Sequence, residues 1–432
     1  MRATRDRLGL RASRRRGRSA RALAAAVLAG ALALTTACTG GGTAPSWNAG
    51  APAPEPSAKA SAAITSPAVD ANDVPASAEI AFTTKDATAT TIELKDASGK
   101  AVKGALTSNG QVWLPASQLS YATTYTATVT VTDEDGKTAT ATSTFTTMAK
   151  PANQIRVSSF LGDGDVVGVG MPLIVKFSRS IPGDYRDDVQ RRMTVRATPA
   201  QEGIWRWVSG TEVHYRPKTF WKANTTLTYR VQAGGLPMGN GWYGRADLTV
   251  DAKIGPSLVM VADNKTKQMT VTQNGKVVRT IPISLGKPST PSSSGTLLVM
   301  EKFKKTVFDT RDDPDPANRY VTDIEYAQRL TYGGEFIHAA PWSVASQGRT
   351  NVSHGCVNMS MANATWLFNL TRIGDPITVK GTERKLKSGN GWTDWSMSWD
   401  EYVKGSAIPY EEPSAEPTEG PADPDVSASP GA

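Results

Sequence analysis

Tyr125-Thr126-Ala127-Thr128-Val129-Thr130-Val131 places a threonine at every second position, and Asp133-Glu134-Asp135-Gly136 follows it. A two-residue period sends Tyr125, Ala127, Val129 and Val131 to one face of a strand, and the acidic Gly-ended run predicts the turn that closes it. Ile80-Ala81-Phe82 and Thr91-Ile92-Glu93-Leu94 share this style, with turn signals at Asp96-Ala97-Ser98-Gly99 and Asn109-Gly110. Short strands at this spacing predict a sandwich of two sheets.

Working outward, residues 70–148 read as one immunoglobulin-like sandwich without its disulfide, and 149–251 as a second. The second rests on Pro172-Leu173-Ile174-Val175-Lys176-Phe177, Trp205-Arg206-Trp207-Val208 and Thr226-Leu227-Thr228-Tyr229-Arg230-Val231. Gly162-Asp163-Gly164-Asp165 is a turn rather than a calcium loop, because the later ligand spacing is missing. Residues 252–381 form a third, β-rich domain. Ser257–261, 268–272 and 276–281 predict strands around Asn274-Gly275, Ser292-Ser293-Ser294-Gly295 leads into a strand at 296–300, and one helix falls near Met361–Leu370. Residues 382–405, with Trp392, Trp395 and Trp399, read as an extension whose indoles pack on a neighbour. Residues 406–432 hold six acids, six prolines and no Lys or Arg, which predicts a disordered acidic tail. The fold class is therefore mainly β: two sandwiches followed by a β-rich domain with a short helix.

The N-terminus is an export signal. Residues 1–21 carry nine Arg against one Asp, a short apolar run spans Leu23 to Leu34, and Leu34-Thr35-Thr36-Ala37-Cys38 follows. The run is short for a membrane span. The leader, 1–37, resembles a bacterial lipoprotein signal in which Cys38 is acylated, although Thr35 stands where Leu is usual. A plain secretory cut nearby is the alternative. Residues 38–69, rich in Gly, Ala, Pro and Ser, read as a flexible tether. Of 48 Lys and Arg and 40 Asp and Glu, the leader holds nine and one, leaving 39 of each. The basic balance vanishes with the leader, and so does any charge argument for nucleic acid as a partner.

Cys38 and Cys356 are the only cysteines. If Cys38 carries lipid, Cys356 has no disulfide partner, and an unpaired thiol in an exported chain suggests a reactive role. Two of the three histidines lie within 18 residues of it: His338, in Glu335-Phe336-Ile337-His338-Ala339-Ala340-Pro341-Trp342, and His354, in Ser353-His354-Gly355-Cys356. A thiol with an imidazole is the minimum equipment for nucleophilic acyl transfer, since the imidazole takes the proton and favours the thiolate. Gly355 permits a tight turn that aims amides at an oxyanion. The bland readings are an inert thiol, a zinc site on Cys356, His338 and His354, which lacks a fourth ligand at a known spacing, or structural histidines beside a cysteine active alone. His214 lies in a strand-like run and reads as structural.

His338, fourteen intervening residues and then Ser353-His354-Gly355-Cys356-Val357-Asn358 resembles the signature of L,D-transpeptidases with a YkuD-type domain. Asn358, Pro341-Trp342-Ser343-Val344, Asp394-Trp395 and Trp399-Asp400 are similar to the actinobacterial branch, and the resemblance extends from about residue 70 to 405. It implies that Cys356 attacks the carbonyl between the third stem residue of peptidoglycan and the terminal D-Ala, with His338 as general base. The amine of a second stem then resolves the thioester into a 3→3 cross-link. It further implies that His354 shapes the site and that the Gly355 and Cys356 amides hold the oxyanion, helped by the Tyr320 hydroxyl. The carbonyl of Ala339, where close relatives carry Ser, would orient the imidazole. Ser353 and Asn358 either support the site or stabilise the loop, and Trp342 belongs to a lid or to the core. The resemblance implies no metal or organic cofactor, and it implies carbapenem-type β-lactams as covalent inhibitors. Two other functions stay open: a carboxypeptidase or endopeptidase that uses water as acceptor, and a non-enzymatic wall-binding lipoprotein.

Overall fold

The computed structural model describes residues 58–411 apart from 108–109, 313–314 and 317–318. The leader, Cys38, the tether as far as residue 57 and the tail from 412 lie outside the described residues.

In the first sandwich, Ser61–Ser66, Ile80–Lys85, Val112–Pro115 and Gly104–Leu106 make one sheet. Ala71–Val74, Thr138–Thr147, Thr124–Thr132 and Ala89–Asp96 make the other. Tyr125, Ala127, Val129 and Val131 are buried and the threonines between them are not, as the period demands. They meet Ile80, Phe82 and Trp113 of the facing sheet in one core. The expected tether was drawn too long at its end. Ser61–Ser66 is a strand, because Ala62 and Ile64 alternate with the exposed Ser61, Ala63 and Thr65 and pack on that core.

The second sandwich stacks Val157–Ser159, Leu173–Phe177, Glu212–Pro217 and Gly203–Ser209. Opposite them lie Val166–Val167, Leu248–Ile254, Thr226–Val231 and Met193–Thr198. Residues 162–165 form the expected turn, with the Gly162 N–H donating to Asp165 Oδ2 at 2.8 Å. The core of this sandwich does not close on itself. It continues into Leu298 and Met300 of the following domain and Trp392 of the extension. The Trp-rich extension straps the two together. Trp392 meets Phe160 edge-on at 4.8 Å, Trp395 meets Phe220 at 4.5 Å, and the Trp395 indole N–H donates to the Gly170 carbonyl at 2.6 Å. Residues 406–411, assigned to the tail on composition, are partly packed too. The Ala407 N–H donates to Gln190 Oε1 at 3.0 Å, and Tyr410 meets Trp399 at 5.3 Å.

The third domain holds two sheets. One runs Lys276–Pro282, Gln268–Gln273, Leu258–Asp263, Pro376–Lys380, Ser293–Leu298 and Arg384–Lys385. Arg384 and Lys385 thus join this sheet, although the sequence placed them in the extension. The other runs Glu301–Asp309, Val321–Arg329, Phe336–Ala339 and Val357–Met359. Its long hairpin, 301–309 with 321–329, is not among the predicted strands. The helix is Met361–Leu370, capped by Ser360, whose hydroxyl accepts from the Asn363 N–H. It packs against the 321–329 and 336–339 strands, which fixes the strand that carries His338.

Candidate active site

His338 lies on Phe336–Ala339, and Cys356 immediately precedes Val357–Met359. These strands pair in parallel with His338 opposite Asn358. In a parallel pair, residues in register send their side chains to the same face. Topology, not sequence proximity, therefore brings the imidazole to the thiol. A cleft of about 450 Å³ opens over them, lined by Phe308, Tyr320, Thr322, Ile324, His338, Trp342, Val352, Ser353, His354, Cys356 and Asn358. Every candidate site residue from 320 to 358 lines it except Gly355, which forms the turn beneath. The hairpin supplies the opposite wall.

The His338 Nδ1–H donates to the Ala339 carbonyl at 2.7 Å. That bond fixes the tautomer and leaves Nε2 with a lone pair, as a base requires. The ring packs edge-on to Phe308 at 5.4 Å and lies 6.0 Å from Trp342. Burial pushes its pKa down to about 4, against the opposing hydrogen bonds to the Ala339 carbonyl and the Asn358 side chain. Burial likewise pushes the Cys356 thiol up to about 12; the Phe336 amide opposes this and the Glu335 charge adds to it. The thiol sits in an apolar cluster with Ile324, Ala327 and Phe336, its sulfur 3.8 Å from the Gly334 carbonyl. Among the described residues the cleft lining carries no countercharge, and burial pushes both groups toward their neutral forms.

Gly355 has φ +124°, a conformation that glycine adopts readily, while an added Cβ would meet nothing nearer than 3.5 Å. The requirement is one of backbone rather than space. Its N–H donates to Ser353 Oγ at 3.1 Å, so of the two amides expected to hold an oxyanion this one is already engaged. Ser353 is the fastener of the turn, since its hydroxyl also donates to the Cys356 carbonyl at 2.7 Å. Asn358 is buried. Its Nδ2 donates to Ser343 Oγ at 3.4 Å, and its side chain faces the His338 imidazole. His354 is exposed, with its ring 5.2 Å from that of Tyr320. Trp342, 61% exposed, stands on the rim and is not core.

Sequence reasoning missed the second layer of support. The Ser292 hydroxyl donates to the Gly355 carbonyl at 2.7 Å and accepts from the Gly286 N–H at 2.9 Å. Buried Glu335 accepts from the Ser293 hydroxyl at 2.7 Å and pairs with Arg384. The serine run at 292–294 was visible in the sequence only as the lead into a strand. His214 is structural: its imidazole spans Glu212 at 2.8 Å and Asp394 at 2.9 Å. Burial alone would lower its pKa, but the Asp394 carboxylate and then Glu212 outweigh this and raise it to about 9. Among the described residues no group of three or more His, Cys, Asp or Glu could hold a metal ion.

Two family models match the chain: a bacterial Ig domain over residues 71–237 and an L,D-transpeptidase catalytic domain over 257–379. L,D-transpeptidase 2 of Mycobacterium tuberculosis (strain CDC 1551 / Oshkosh) is 33% identical over 353 residues, covering 81% of this chain and 85% of that one. L,D-transpeptidase 1 of Mycobacterium tuberculosis (strain ATCC 25618 / H37Rv) is 37% identical over 222 residues, covering 51% and 82%. A solved LD transpeptidase in complex with imipenem is 36% identical, covering 53% of this chain and 100% of that one, with a TM-score of 0.46.

Proposed function

The chain belongs to the L,D-transpeptidase family, and from that premise we propose that it forms 3→3 cross-links between peptidoglycan stem peptides through a thioester on Cys356. The observation that carries this reading is the His338–Ala339 hydrogen bond, which holds an unprotonated Nε2 in the same cleft as a buried thiol. The Cys356 thiol attacks the carbonyl of the third stem residue while His338 Nε2 takes its proton. The imidazolium returns that proton to the departing D-Ala nitrogen, leaving the thioester. The side-chain amine of a second stem then attacks, His338 accepts its proton, and the new amide releases a neutral thiol. Because the resting pair is uncharged, the ion pair need exist only as substrate closes the cleft from water.

A carbapenem-type β-lactam presents a strained acyl group to the same thiol, so the proposal extends to acylation of Cys356 by such drugs. The chain is further proposed to be exported and held outside the membrane by lipid on Cys38. No helix of the described residues is long and apolar enough to cross a membrane. Loss of membrane retention in Cys38→Ala is the expected signature of that anchor. The cross-linking proposal is tested on tetrapeptide stems with wild type and Cys356→Ala in parallel. The expected outcome is cross-linked dimers from wild type alone, and one carbapenem adduct by intact mass that Cys356→Ala lacks. Shortened monomers without dimers would make the enzyme a carboxypeptidase instead, and activity surviving in Cys356→Ala would remove the thioester altogether.

A further inference from the structure

Among the described residues, eleven line the cleft and none is Asp, Glu, Lys or Arg. A lysine touches that lining from outside it. Lys287 Nζ lies 3.1 Å from Nε2 of His354. An ammonium can only donate, so His354 must accept through Nε2 and carry its proton on Nδ1. Lys287 is half-buried, and among the described residues it has no carboxylate partner.

The segment around it is fastened to the nucleophile turn. The Lys287 N–H donates to the Ser353 carbonyl at 2.9 Å, and its own carbonyl accepts from the Thr290 N–H at 2.9 Å. The Thr290 hydroxyl reaches the Ser353 carbonyl at 3.3 Å. Gly286 is required for this closure, because a Cβ there would lie 2.1 Å from the Thr290 carbonyl oxygen. The backbone carrying Lys287 is thus set relative to Cys356, and an ion bound at the ammonium is placed at little cost in loop ordering.

We propose that Lys287, braced by His354, recognises a carboxylate of the donor stem and so selects anionic acyl donors. This rests on the reading of the cleft as a stem-peptide site and adds a specificity residue to it. Two carboxylates of a donor stem have this chemistry: that of the terminal D-Ala and that on the side chain of the third residue.

The first arm does not depend on transpeptidation. Cys356 in the full chain is alkylated with anionic iodoacetate and with neutral iodoacetamide, in wild type, Lys287→Gln and Lys287→Arg. The ratio of the anionic to the neutral rate constant is expected to fall about tenfold in Lys287→Gln, to return in Lys287→Arg, and to narrow between variants in high salt. An unchanged ratio in Lys287→Gln overturns the proposal even if cross-linking is proven, and a changed ratio supports it even if cross-linking fails. The second arm compares donors amidated at either carboxylate. The amidation that erases the kcat/KM difference between wild type and Lys287→Gln identifies the group bound. A difference that survives both amidations overturns the assignment.

Discussion

His214 and His338 are each 3% exposed, yet they hold opposite charge states. His214 sits between Glu212 and Asp394 and titrates near 9; His338 faces Phe308 and a backbone carbonyl and titrates near 4. Burial pushes both downward by the same physics, and buried carboxylates decide which one escapes. The charged imidazole serves as a rivet between the second sandwich and the C-terminal strap. The neutral one keeps a lone pair for chemistry. Depth in the core says nothing about which task a histidine has; its hydrogen-bond partners do.

The comparison breaks first at His338. His338→Gln is expected to cut thioester formation by on the order of 10³-fold or more, read as the rate of carbapenem acylation, with thermal stability nearly preserved. Loss of stability with acylation intact would reverse the two roles.

Next in size is Asp394→Asn, which leaves a buried imidazolium with one partner and is expected to cost about 3–5 kcal/mol at pH 6 by urea unfolding. The pH dependence has a defined sign. The folded imidazole titrates near 9 and the free one near 6.5, so its contribution is complete below pH 6.5 and falls away as the pH rises through 9. The gap between wild type and Asp394→Asn should therefore shrink above pH 9, and a gap that widens there would sink the charged-rivet account.

Asn358→Asp sharpens the contrast with a smaller effect. In wild type the alkylation rate of Cys356 should climb steadily, about tenfold per pH unit, from about pH 5 to 10, because the reactive thiolate is a small and growing fraction below a titration near 12. A carboxylate opposite His338 should raise the imidazole pKa toward neutrality and introduce an inflection there, with a several-fold lower rate at pH 6. A sigmoidal wild-type profile centred between pH 6 and 9 would mean that the thiol rests partly ionised.

What was legible in the sequence follows from how local each signal is. The Tyr125–Val131 alternation and the Met361–Leu370 helix depend on neighbours within a few residues, and the structure has both. Cys356 and His338 stood out because free thiols and histidines are so scarce here. The 301–309/321–329 hairpin was hidden because most of its positions are only partly covered, which blurs the alternation that betrays a strand. Lys287 looked like any surface lysine until the fold brought it to His354, 67 residues away. The neutrality of the thiol could not be read from neighbours in the chain, because Ile324 and Phe336, which desolvate it, come from other strands.

The strap also bears on the order in which the molecule can be completed. Asp394 is 180 residues downstream of His214, and Trp392 fills a core whose other walls are built long before it. A chain emerging from its N-terminus can fold the first sandwich early, but the second must wait with a partly open core and an unbalanced charge until the last segment arrives. A copy cut short before residue 392 would keep its nucleophile motif and still lack a closed second sandwich. Completion of the chain is thereby written into its resistance to proteases.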